Sequence, residues 1–262
     1  MSHYNTLFGQ LLDLLPRHQF EKLVSHYGGD RYAKTFSTWN QFQTLLYAQC
    51  SGHQSLRDIE AGFLAQENRL YHLGFKAKVR RNTLSNANSK RDSDIYQDFF
   101  YKLVDRCKSL TPKHKFRFKN PLYSFDATTI SLCLSVFPWA SIKHKKGAIK
   151  MHVQLNYSGE IPVFTCVTRG NVNDVKAAKE HFDICRDSIY CFDRGYLDYK
   201  WFKSIDEKGA FFVTRPKDPF PHSVYYSTIV GTAGIVSDEE VELKSGKYPK
   251  KLRLIRYYDS KR

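Results

Sequence analysis

No two of the six cysteines form a CxxC pair, an absence that removes zinc ribbons and dithiol redox motifs from consideration. The thiols at 50, 107, 133, 166, 185 and 191 read instead as buried, reduced side chains of a cytoplasmic protein. His181, Cys185 and Cys191 follow no standard metal-ligand spacing. No apolar run approaches the roughly 20 residues that a bilayer-spanning helix needs, so no membrane partner is expected. The opening Met1-Ser2-His3-Tyr4-Asn5 has neither the basic nor the apolar region of a secretory leader. Acid is scarce as well. Against 41 Lys and Arg stand 26 Asp and Glu, a formal net charge of +15 that points to a polyanion, and to nucleic acid before a membrane surface.

What is present is a globular chain of 262 residues, 42% hydrophobic and 15% aromatic, long enough for two domains. Residues 1–108 read as helices. Leu7, Phe8, Leu11, Leu12 and Leu15 recur at helical spacing up to Pro16, and Phe20, Leu23, Val24 and Tyr27 do so up to Gly28-Gly29. Trp39, Phe42, Leu45 and Leu46 mark a third helix capped by Ser37 or Thr38, and Ser55 caps a fourth. Ile95, Phe99, Phe100, Leu103, Val104 and Cys107 close the domain.

Between the last two of these lies Arg80-Arg81-Asn82-Thr83-Leu84-Ser85-Asn86-Ala87-Asn88-Ser89-Lys90-Arg91, small polar residues set between basic ones. Such a segment fits a DNA-reading helix, with Asn86 and its polar neighbours at base edges and Arg80, Arg81, Lys90 and Arg91 on phosphates. The alternative is a solvated helix start without DNA contact, and the long loop before it, Gln66 to Val79, departs from a helix-turn-helix. Residues 109–121 form a basic linker. In it Lys113, Lys115, Arg117 and Lys119 alternate with His114, Phe116, Phe118 and Asn120, so an extended chain aligns four cations on one side, either as a solvated face or against a DNA backbone.

From Pro121 the period changes to strands. Leu122 to Ile130 and Ser188 to Tyr196 are short apolar runs that bring Asp126 and Asp193 to expected strand ends. Two carboxylates side by side in one sheet supply hard oxygen ligands for a divalent cation such as Mg²⁺, the arrangement that metal-assisted phosphoryl transfer needs. A lysine-rich connection with Lys143, Lys145 and Lys146 leads into a strand bearing Lys150. Ser158-Gly159-Glu160 then turns the chain into a third strand, Ile161 to Thr168. A helix near 175–182, the Asp193 strand, a helix around Tyr199 to Ile205 and the strand Ala210 to Thr214 follow. A three-strand meander followed by alternating helix and strand is the order of an RNase H-like mixed sheet, here residues 122–215. Residues 216–262 hold further strands, Val224-Tyr225-Tyr226, Gly234-Ile235-Val236 and Leu252 to Tyr258, that look like an insertion.

Several ordered blocks now stand together: Ser124-Phe125-Asp126-Ala127-Thr128-Thr129-Ile130, Lys146-Gly147-Ala148-Ile149-Lys150-Met151-His152, Gly170-Asn171-Val172-Asn173-Asp174, Phe192-Asp193-Arg194-Gly195-Tyr196 with Asp198 and Phe202, and Phe212-Val213-Thr214-Arg215-Pro216-Lys217. In these blocks the chain resembles a bacterial insertion-sequence transposase of the DDE type, in the family typified by insertion sequence four. The resemblance implies that Asp126 and Asp193 are the first two acids of a triad holding two Mg²⁺ ions, replaceable by Mn²⁺. It also implies that double-stranded DNA, as element ends and target, is the partner of a homodimer in a bacterial cytoplasm, with Arg194 beside the acids as a phosphate contact. The family's third acid, a glutamate in a Tyr-Arg-Glu-Lys type pattern after the insertion, has no counterpart here; Asp238, Glu239, Glu240, Glu242 and Asp259 sit in turn or strand context. The expectation is a truncated product that binds DNA but cuts and joins it poorly. Competing readings are a non-catalytic remnant that occupies element ends and inhibits an intact transposase, and an RNase H-like nuclease indifferent to end sequence.

Overall fold

The structure is a computed structural model. It describes residues 6–75, 77–112, 115–132, 141–142, 146–230, 234–244, 246 and 248–258. The chain divides into two units, Met1–Ser109 and Leu110–Arg262.

The first unit is helical: α1 (Leu7–Asp13), α2 (Arg17–His26), α3 (Thr38–Cys50), α4 (Leu56–Ala65), the short α5 (Glu67–Leu70), α6 (Arg81–Lys90) and α7 (Asp94–Leu110). Side-chain caps set where several helices begin. Ser37 accepts from the Asn40 N–H while the Asn40 side chain accepts from the Ser37 backbone, a reciprocal box that satisfies two otherwise orphaned groups at the start of α3. Ser55 does the same work for α4 by accepting from the Asp58 N–H. The stretch expected as a loop between Gln66 and Val79 instead holds α5 and a 3₁₀ turn at Tyr71–Leu73, because Leu70, Phe75 and Val79 are drawn into the core with Phe63, Leu84 and Ala87. A second cluster centres on Phe20, fully buried, with the rings of Trp39, Phe42, Tyr96 and Phe99 at centroid distances of 4.9 to 6.1 Å.

In the second unit, β1 (Leu122–Leu132), the two-residue β2 (Ser141–Ile142), β3 (Lys146–Asn156), β4 (Ile161–Arg169), β5 (Ile189–Phe192) and β6 (Phe211–Thr214) form one mixed sheet. Its order is β4-β3-β1-β5-β6, with β2 pairing the start of β3. β1 runs antiparallel to β3, and β3 to β4, whereas β1, β5 and β6 are parallel. Helices α8 (Asp174–His181) and α9 (Tyr199–Glu207) lie in the two crossovers on either side of β5. This strand order is the RNase H-like arrangement, within an α+β chain.

The core of this unit lies where the helices meet the sheet, with Phe125, Phe182, Tyr190, Phe192, Tyr196, Trp201, Phe202 and Ile205 all buried. A second, antiparallel sheet of β7 (His222–Ile229), β8 (Ile235–Leu243) and β9 (Leu252–Tyr257) is anchored to the same core through Leu243, Tyr248 and Leu252. β8 is longer than its apolar start suggests. Asp238, Glu240 and Glu242 alternate with buried Glu239, Val241 and Leu243, and the segment 251–257 supplies cations: Asp238 pairs with Arg253, Glu240 with Lys251 and the buried Glu239 with Arg256.

Candidate active site

Asp126 does not end its strand, as its sequence context suggests. β1 continues to Leu132, because the β-branched Thr128, Thr129 and Ile130 pair rung by rung with Met151, Lys150 and Ile149 of β3. Asp193 does stand just past a strand end, where it caps a 3₁₀ turn over Arg194–Tyr196. The parallel ladder between β1 and β5 decides how the two acids relate. It runs from Leu122 opposite Ile189 to Ser124 opposite Cys191, and the same register carried two residues further would bring Asp126 to Asp193. The Phe125 and Phe192 rings both enter the helix-covered core, with centroids 6.3 Å apart. Alternation along an extended chain then puts the next residues, the two aspartates, together on the opposite face.

Both carboxylates are exposed. Each has one oxygen engaged locally: Asp126 Oδ1 accepts from the Ala127 N–H and Asp193 Oδ1 from the Gly195 N–H, each at 2.8 Å. Among the described residues neither acid is in an ion pair. Two carboxylates in no ion pair among the described residues are oxygen donors of the kind that a divalent, oxygen-seeking metal takes. No third His, Cys, Asp or Glu joins them among the described residues.

Beneath the sheet face, three further groups converge that the sequence does not announce. The Tyr196 hydroxyl is buried without a hydrogen-bond partner among the described residues, and its pKa is raised by burial first and then by Asp174, Asp126 and Asp193. One hydroxyl thus lies in the field of both site acids. Asp174, the first residue of α8, accepts from Lys150 Nζ at 2.9 Å and lies 3.8 Å from His152 Nδ1. His152 is wholly buried, with Nε2 2.9 Å from the Thr168 hydroxyl, and burial lowers its pKa. The available signal was Asn173-Asp174, a cap followed by an acidic first turn.

The basic residues sort into free and occupied. Lys113, Lys143 and Lys145 lie outside the described residues; Lys146 belongs to β3, and its side chain is not described. Lys115, Arg117, Lys119 and Arg194 are exposed and in no ion pair among the described residues. Lys150, read as a phosphate contact, is instead consumed inside the unit, donating to Asp174 and to the Val172 carbonyl. In the helical unit Arg81, Asn86 and Lys90 are exposed, and Arg80 lies 3.7 Å from Glu60. Arg91, expected on a phosphate, is likewise consumed inside its own unit. Its guanidinium donates to the carbonyls of Phe36 and Ser37 and to Gln41 Oε1, lies 3.6 Å from Asp30 and is only 10% exposed. It holds α6 to the start of α3 and has no fork left for a phosphate.

A family model described as "Transposase DDE domain" matches residues 117–261, more than half of the chain. The chain belongs to that family. Residues 3–76 match a second model, described as "Domain of unknown function (DUF4372)". Among curated proteins, this DDE-domain chain is 31% identical over 134 residues to one from Sinorhizobium fredii named as a transposase, y4zB, covering 51% of this chain and 36% of that protein. It is 22% identical over 218 residues to a Geobacillus stearothermophilus protein named as the transposase for insertion sequence element IS5377, covering 83% of this chain and 55% of that one. The chain therefore spans about half or less of the length of these relatives. Among solved structures, the piggyBac transposase in a synaptic complex with hairpin DNA matches at TM-score 0.38 and 12% identity, over 84% of this chain and 51% of that chain.

Proposed function

We propose that this DDE-family chain acts on double-stranded DNA at the ends of a mobile element, and that Asp126 and Asp193 are the carboxylates around which strands are cut and joined. The observation that supports the reading is the parallel register of β1 and β5, whose last rung, Ser124 opposite Cys191, lies two residues before each acid. Asp126 and Asp193 would hold Mg²⁺, with Mn²⁺ able to substitute. Such ions supply Lewis-acid polarisation of the scissile phosphate and a more acidic attacking water or 3′-hydroxyl. The chain's own part is to orient the two carboxylates through the Ala127 and Gly195 N–H groups. Arg194, exposed beside Asp193, is placed by sequence to meet a phosphate, as are Lys115, Arg117 and Lys119 at the entry to β1. A homodimer on paired element ends completes the proposal.

The test is Mn²⁺ binding by electron paramagnetic resonance on residues 1–262, alongside cleavage of duplex carrying element ends. Asp126→Asn and Asp193→Asn should each weaken Mn²⁺ binding while leaving DNA binding intact. Because no third acid joins the pair among the described residues, the wild-type chain should hold Mn²⁺ only weakly and cut slowly. Unchanged Mn²⁺ binding in both variants rejects the assignment.

A further inference from the structure

Helix α6 is built from residues that do not favour helices. Within Arg81–Lys90 stand Asn82, Thr83, Ser85, Asn86, Asn88 and Ser89, whose short polar side chains compete with the helical backbone for hydrogen bonds. Leu84 and Ala87 bury one side of the helix in the first unit's core. At about 100° per residue the side directly opposite carries Asn82, Ser85, Asn86 and Ser89, with Arg81 and Lys90 on its two flanks. All six are exposed. The helix holds no acidic residue, and the side chains of Asn82 and Asn86 make no hydrogen bond among the described residues. Asn88 and Arg91, by contrast, are tied down: Asn88 Oδ1 accepts from Gln41 Nε2 at 2.7 Å, and Arg91 is fixed to the Phe36–Ser37 carbonyls. The outward polar face therefore sits on a helix locked in rotation.

We infer that α6 enters the major groove of duplex DNA and that Asn82 and Asn86 read base edges there, each donating to and accepting from an adenine. This rests on the proposal that the chain binds DNA, and deepens it by naming the element that reads sequence. The partner follows from chemistry. A face of amides and hydroxyls offers donors and acceptors together, as a groove edge requires, and an asparagine amide matches the adenine N6 and N7 pair. Cations on both flanks fit a groove walled by phosphates, and the carboxylate at the start of the helix, Glu60, is engaged by the Arg81 N–H and Arg80. Asn82 and Asn86 stand one turn apart, about 6 Å along the axis, which corresponds to roughly two base-pair steps.

The experiment uses residues 1–262 and a randomised duplex library, selecting bound sequences for the wild type, Asn82→Ala, Asn86→Ala and Ser25→Ala, the last an exposed site on α2. The wild type should enrich a motif with adenine at two positions about two base pairs apart. Each asparagine variant should lose the preference at one position and bind the enriched duplex roughly 5- to 150-fold more weakly, with binding to random duplex unchanged. Ser25→Ala should reproduce the wild-type motif. Alanine favours helix, so thermal melts of the asparagine variants should not fall below wild type, which separates a missing base-edge interaction from a damaged fold. An unchanged motif in both variants, or equal weakening on enriched and random duplex, overturns the assignment to α6 while leaving DNA binding standing. Failure of the wild type to bind any duplex overturns both.

Discussion

Arg91 and Tyr196 show how far a side chain's surroundings decide its role. Arg91 looks from sequence like one more cation in a basic cluster, yet its donors are spent on the Phe36 and Ser37 carbonyls and the Gln41 amide. Burial lowers its pKa, and Asp30 works against that shift. Arg91→Ala strands those acceptors, so urea denaturation of the variant should show a loss of about 2–4 kcal/mol. Exposed Lys90→Ala should stay within about 0.5 kcal/mol of wild type. Arg91→Lys should recover only part of the loss, because an ammonium cannot reproduce the planar fork; full recovery would mean that charge alone matters. Tyr196 is the opposite case. Its hydroxyl is buried and has no hydrogen bond to lose among the described residues, so Tyr196→Phe should melt no lower than wild type. A clear drop in melting temperature would reveal a partner for that hydroxyl.

At the scale of elements, the junction of β4 and α8 joins packing to the site. Gly170 donates to the Ala148 carbonyl, and a Cβ there would stand 2.8 Å from that oxygen. The neighbour is backbone and cannot swing away, so Gly170→Ala should cost about 1–3 kcal/mol in chemical denaturation. A neutral variant would show that the β3–β4 edge can shift. Next to it, His152 is buried among Asp174 of α8, Lys150 of its own strand, Thr168 and Cys166 of β4, and His181. Burial, with help from Lys150 and His181, outweighs Asp174 and holds the imidazole pKa below its ordinary value. The unfolded chain binds a proton near pH 6.5 that the folded chain resists, so this histidine's contribution is intact above that pH and lost as pH falls below it. Comparing urea midpoints at pH 7.5 and 5.5, His152→Gln should lose less stability than wild type on acidification; equal losses would remove His152 as the cause.

These two elements also mark what a sequence can and cannot tell. The turn at Ser158-Gly159-Glu160 before Ile161 to Thr168 and the Asn173 cap are local, and both elements form where local chemistry puts them. The strand end before Asp193 was legible for the same reason, since a short apolar run stops there. The length of β1 was not, because Thr128 to Leu132 are held by rungs to β3 rather than by their own preference. The hydrogen-bond partners of Lys150 and Arg91 lie 22 to 55 positions away, and no periodicity reports them. For the same reason Tyr196 showed only as a turn residue, its burial created by α8 and α9 closing over the sheet.

Across the whole molecule, a charge of +15 says that a polyanion is near but not which cations touch it. Many are already neutralised, as in Lys78 with Glu67, Lys179 with Asp198, Lys250 with Asp206 and Arg253 with Asp238. Paired and buried cations displace few condensed counterions from DNA, so the salt dependence of binding should be carried by the unpaired set. Lys115, Arg117 and Lys119 are exposed, unpaired among the described residues and consecutive in alternation, which makes them the sharpest test. Replacing all three with alanine in the full chain should flatten the slope of log K against log salt by up to about 2.7, near 0.9 for each phosphate no longer neutralised. Lys150→Ala removes the same formal charge as any one of them but should leave the slope alone, weakening instead the fold around Asp174 by about 1–2 kcal/mol. If Lys150→Ala changed the slope and the triple variant did not, the ion pairs would be opening on DNA and static pairing would be the wrong guide to the interface.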